Sequence, residues 1–157
     1  MRRTVRLAAA LLTLALPFGA AGASLPPMGL YQGQYVCAQG RTGLALRITA
    51  VSPTRVTAQF YFHAIEANSH VPQGCFTMRG RYDGATGHLT LAPAGWILRP
   101  RGFVQVTLSG RVSDDSAHIE GVVIGPGCTS FSLQRRTATP VPPPPSPCRM
   151  DRQGPTV

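Results

Sequence analysis

The sequence predicts an all-β domain of about eight short strands in an antiparallel meander, closed into a small barrel or packed as a two-sheet sandwich. Three observations carry this. Between Leu30 and Arg136 apolar and polar residues alternate with a period of two, and no stretch has a helical period. Gly, Pro, Asp and Ser interrupt the alternation at short intervals, as turns do. Four cysteines, Cys37, Cys75, Cys128 and Cys148, supply an even set for disulfide closure.

The elements follow in order. The first strand ends at Cys37. In the second, Leu44, Leu46 and Ile48 face one way and Ala45, Arg47 and Thr49 the other. The third sets Val56, Ala58, Phe60 and Phe62 against Thr57, Gln59, Tyr61 and His63, and the fourth sets Phe76, Met78, Gly80 and Tyr82 against Thr77, Arg79 and Arg81. Further on, Val104, Val106 and Leu108 alternate with Gln105 and Thr107. Turn signals lie at Ser52-Pro53, Asp83-Gly84, Asp114-Asp115 and Gly125-Pro126-Gly127. A meander with one apolar face must cover that face and dispose of two edges, and barrel closure does both. Cys128 opens the last strand, which in a closed barrel neighbours the first. Of the three possible pairings, closure therefore favours Cys37–Cys128 and leaves Cys75 to Cys148. A bridge across a loop of about 90 residues is worth about 4–5 kcal/mol in the chain-entropy model.

The two ends differ from the middle. Residues 1–23 read as a signal peptide: Arg2, Arg3 and Arg6, the apolar run Leu7 to Ala15, and small residues before Ser24. The run is too short for a good membrane span, which needs about 20 apolar residues. The expected product is exported, to the periplasm or beyond, with no membrane span after cleavage. A short segment, 24–29, leads into the 30–136 domain. Residues 137–157 form a tail in which TATPVPPPPSP reads as a polyproline-II arm. Pairing with Cys75 would staple it down; unpaired, Cys148 would be a thiol at the end of a stiff arm.

The 157 residues carry 15 basic and 6 acidic side chains, and every basic one is arginine. The missing lysine excludes Schiff-base chemistry and a phosphate-binding P-loop. Basic residues are not interleaved with stacking aromatics, which argues against nucleic acid as a partner. Arg79 and Arg81 share a strand face, and Arg99 and Arg101 flank Pro100 in a neighbouring loop. Converging, they would make a face for phosphate or carboxylate. An envelope protein or anionic envelope polymer is the expected partner, set against the plainer view that arginine fills every solvated position. Trp96, the single tryptophan, fits either a binding anchor beside Arg99 or, more commonly, a plug at the end of a barrel.

His63, Glu66 and His70 fall within eight residues in a loop and are the one candidate metal set, although a plain polar loop is the commoner outcome. No cofactor motif and no nucleophile elbow is present, and Asp83, Asp114 and Asp115 sit at turns, so no catalytic residue is assigned.

The segments Gly33-Gln34-Tyr35-Val36-Cys37-Ala38-Gln39-Gly40, Trp96-Ile97-Leu98-Arg99-Pro100 and Gly127-Cys128-Thr129-Ser130-Phe131-Ser132-Leu133 resemble a family of small exported bacterial proteins with no assigned activity. The resemblance covers residues 30 to 136 and implies no function. A looser similarity, to the periplasmic C-type lysozyme inhibitors, implies a small exported barrel. Their Ser-Gly-x-x-Tyr motif is absent, since Ser109-Gly110 is followed by Arg111, Val112 and Ser113. The expected function is a non-catalytic binding or interaction module of the cell envelope using the arginine face. The alternatives are a carrier of a small apolar ligand, disfavoured by the large inward residues Phe60, Phe62, Phe76, Met78 and Tyr82, and a metal enzyme built on the His63 loop.

Overall fold

The computed structural model describes residues 22–136 and 144–149. The expected signal peptide up to residue 21 and most of the proline-rich tail therefore lie outside the described residues. Eight strands follow one another: β1 (Gly29–Cys37), β2 (Gly40–Ser52), β3 (Arg55–His63), β4 (Gly74–Asp83), β5 (His88–Leu98), β6 (Thr107–Val112), β7 (His118–Ile124) and β8 (Ser130–Arg136). All neighbours pair antiparallel, and β1 pairs with β8, from Leu30 opposite Arg136 to Tyr35 opposite Phe131, so the sheet is a closed barrel.

The alternation turns one apolar face inward. Leu44, Leu46, Ile48, Phe60, Phe62, Phe76, Met78, Leu91, Leu108 and Ile119 are all buried in one cluster. Closing eight strands around so small a core requires the chain to bend where strands approach closely. At Gly33 and Gly80 a Cβ would fall 2.1 Å from the Ser132 carbonyl oxygen and 1.9 Å from that of Thr90, so neither position has room for a side chain. The turns use local hydrogen bonding. Asp83 accepts from the Ala85 amide at 2.9 Å, and Asp115 accepts from the Ala117 amide at 2.9 Å and the Ser113 hydroxyl at 2.6 Å. These bonds hold both carboxyls below their usual pKa.

The two ends of the barrel differ. At one end the segment before β1 folds across: Pro26 and Pro27 are buried, the Ser24 amide donates to the Gly84 carbonyl at 2.9 Å, and the Ser24 hydroxyl meets the Tyr82 hydroxyl. Tyr31 donates to the Ser116 carbonyl at 2.9 Å beside it. The other end carries the turns after β1, β3, β5 and β7 and is more open.

Cys37 is bonded to Cys128 and Cys75 to Cys148, across 91 and 73 residues of sequence. Both bridges point to an oxidising, exported environment, and among the described residues no helix is long and apolar enough to cross a membrane. Cys128 lies two residues before β8 instead of opening it, but the Thr129 amide donates to the Val36 carbonyl at 2.9 Å and carries the seam up to the bridge. The Cys75–Cys148 bridge changes the outer surface. Tyr61, Ala45 and Cys75 belong to the face the alternation assigns to solvent, yet each is fully buried in a second cluster with Leu30 and Cys148. The short 3-10 turn Ser146–Cys148 covers them, and Gln59 donates to the Cys148 carbonyl at 3.3 Å. Burial raises the Tyr61 hydroxyl to about 12.

Candidate functional site

The open end is where the wall fails. β5 and β6 pair only from His88 opposite Arg111 to Leu91 opposite Leu108. From Ala92 to Leu98 β5 has no partner on that side, and residues 103–106 are irregular, although the alternation from Val104 predicted strand there. Pro100 and Gly102, the latter at φ +81°, divert the chain outward before β6 begins at Thr107. The displaced segment frames a mouth, and Val104, expected among the alternating strand residues, stands 54% exposed on its rim.

Behind the rim is a cavity of about 300 Å³. Phe60, Phe62 and Phe76 form its floor, Tyr35 and the Cys37–Cys128 bridge one wall, and Phe103 and Val104 the other. The rings interlock: Phe60 stacks on Phe76 at 4.6 Å, Phe62 on Phe103 at 5.1 Å, and Tyr35 meets Phe60 edge-on at 5.2 Å. Offset and edge contacts of this kind fix ring orientation as well as burying area. The inward aromatics do fill the barrel, but they leave this end unfilled because no strand closes over it.

Two polar side chains line the cavity, Gln39 and Tyr35. Gln39 lines it and donates to the Tyr35 hydroxyl at 3.0 Å and the Thr42 hydroxyl at 3.2 Å. Burial raises the Tyr35 pKa further than these bonds lower it, so the phenol stays neutral. The turn is braced from above, since the Asn68 amide donates to the carbonyls of Gln39 and Arg41 at 2.7 and 3.1 Å.

Trp96 packs against this floor from the side, with ring centroids 5.2 Å from Phe76 and 6.4 Å from Phe62, and Arg99 lies 5.9 Å over its outer face. It is part of the barrel's end packing. The four arginines do not converge. Leu98 pairs with Cys75, so Arg99 and Arg101 sit at the mouth end, whereas Arg79 and Arg81 pair with Ala92 and Thr90. That places them about 13 and 20 Å further along β4. Their near neighbours are instead Arg55, directly opposite Arg81, and the β2 residues across β3.

No family model, curated protein or solved structure matches this chain.

His63, Glu66 and His70 are not gathered. The His63 ring is 8% exposed, lies over Gly43 and against Tyr61, and its Nδ1 is 2.8 Å from the Ala64 carbonyl. Desolvation lowers its pKa, only partly offset by that hydrogen bond. Glu66 and His70 are exposed, and among the described residues no group of three His, Cys, Asp or Glu could hold a metal ion. Phe103 and Gln39 are site residues that sequence reasoning missed. The one signal for Phe103 was the Pro100-Arg101-Gly102 loop directly before it.

Proposed function

We propose that this chain is a non-catalytic binding domain, acting in the periplasm or outside the cell, that takes a small apolar, ring-containing molecule into the mouth of its barrel. The carrying observation is the cavity of about 300 Å³ over an aromatic floor, at the place where β5 and β6 part. Ligand sites are typically concave, mostly apolar and supplied with a few fixed polar groups, and volumes start near ~300 Å³. The opposite end is covered by the Ser24 to Pro27 segment, so entry is from one side. Gln39, already held by Tyr35 and Thr42, is the group placed to orient a ligand polar atom.

The test is titration with the neutral dye N-phenyl-1-naphthylamine, read by dye emission and by the fluorescence of Trp96 beside the floor. The oxidised protein is expected to bind one dye saturably, and Val104→Arg, which sets a charge on the rim without touching the core, to weaken it at least tenfold. Absence of saturable binding, or equal binding by Val104→Arg, would overturn the reading.

A further inference from the structure

A second site lies on the outside of the wall. Thr57 and Gln59 are successive outward residues of β3. Arg47 and Thr49 flank them on β2, where Arg47 pairs with Gln59 and Thr49 with Thr57. Thr77 and Arg79 flank them on β4, where Thr77 pairs with Gln59 and Arg79 with Thr57. These six side chains line a groove of about 360 Å³ with no acidic residue among the described residues. The two arginines rise from strands about 10 Å apart, close enough for both guanidinium groups to meet over the central strand. The Nε of Arg47 is buried without a hydrogen-bond partner. Burial of a charged donor without an acceptor is costly, and an anion in the groove would remove that cost. Arg55 and Arg81, directly opposite each other in the next outward row, add positive potential and have no described carboxylate partner. Gln59 also donates to the Cys148 carbonyl of the adjoining turn at 3.3 Å.

From this we infer that the β2–β4 groove binds a tetrahedral oxyanion of the phosphate type. Two planar guanidinium forks supply paired donors. The hydroxyls of Thr49 and Thr57 and the second hydrogen of the Gln59 amide supply the remaining donors, while the Thr77 hydroxyl is engaged with the Gly95 carbonyl at 3.2 Å. A phosphate group reaches such a groove either as a free ion or on a lipid headgroup, and the two sources share this chemistry. The site is independent of the mouth.

Calorimetric titration of the oxidised protein with inorganic phosphate at 0.15 M salt tests the groove, and flotation with phosphatidylglycerol against phosphatidylcholine vesicles tests the source. Saturable phosphate binding that falls at least tenfold in Arg47→Gln and in Arg79→Gln, but not in Arg101→Gln, is the expected result. Arg47→Lys retains the charge and loses the fork, so it should also fall. Phosphate binding without vesicle binding assigns a free ion; binding of phosphatidylglycerol vesicles as well, lost in the same variants, assigns the headgroup. The site is overturned by no binding of either probe, by equal loss in Arg101→Gln, or by full binding in Arg47→Lys. Unchanged melting and unchanged dye binding at the mouth show that each variant is folded.

Discussion

Removing the two bridges separately should cost the same stability and yet leave two different proteins. Each closes a long loop, 91 residues apart for Cys37–Cys128 and 73 for Cys75–Cys148. The chain-entropy relation gives about 4.6 and about 4.4 kcal/mol, a difference of about 0.2 kcal/mol because the dependence on length is logarithmic. Cys37→Ser/Cys128→Ser should leave the native wall intact, since β1 and β8 stay paired from Leu30 to Tyr35. Urea unfolding should then show about 4 kcal/mol lost and a steeper slope, as the uncrosslinked chain exposes more surface when unfolded. Cys75→Ser/Cys148→Ser should lose a similar amount but also release the turn that covers Tyr61 and Ala45. Its native state should therefore expose apolar surface to a reporter dye and bring the Tyr61 hydroxyl down from about 12 towards an ordinary phenol. A loss under about 1 kcal/mol for the seam variant would refute the unfolded-chain reasoning. A strap variant whose Tyr61 titrates as before would refute the view that the bridge is what keeps the outer patch covered.

Other outcomes follow from single contacts. Gly80→Ala places a Cβ 1.9 Å from the Thr90 carbonyl oxygen and should lower the urea midpoint by the equivalent of about 1–3 kcal/mol, as overpacking does. His63 has a folded-state pKa below 6.5, so the folded protein resists protonation that the unfolded chain accepts. Its contribution is present above about pH 6.5 and is lost as pH falls through the folded value, with a slope of at most about 1.4 kcal/mol per pH unit; His63→Gln should flatten that slope in urea midpoints taken between pH 7.5 and 5. Among the described residues Ser116 is the non-glycine residue at positive φ, 55°, and its carbonyl but not its side chain is used by Tyr31, so Ser116→Gly should raise the melting temperature by the equivalent of about 1 kcal/mol. Arg81→Thr removes a like charge directly opposite Arg55 and should stabilise by about 0.2–1 kcal/mol at low salt, an effect that added salt erases.

The period of two from Leu44 to Tyr82 was enough to read strand identity and inward face, because that pattern is local. Closure was readable too, through the seam position of Cys37. Three things were not. Tyr61 reads as solvent-facing, and only the return of Cys148 from the far end of the chain buries it. The four arginines read as one patch because a sequence gives the face of a strand but not the height of each residue along the barrel axis; antiparallel pairing of β4 with β5 sends Arg99 and Arg81 to opposite ends. The cavity depends on the stretch from Arg99 to Val106, where the Pro100 loop was legible but the alternation of Val104 and Val106 reads as strand. The Pro and Gly just before it extend the loop through Val106, and the mouth is the result.

The unpaired upper half of β5 has a consequence for how copies of this protein behave together. Open strand backbone is a template onto which another chain can add, and at high concentration such additions end in fibres. Two features work against it here. Pro93 removes an amide near the start of the open stretch, and the register of β5 on β4 slips twice, between Cys75 and Phe76 and between Thr77 and Met78. An incoming strand would meet a missing donor and a twisted edge. Both features blunt the open edge, and Pro93→Val is the substitution expected to make the chain assemble, read by light scattering.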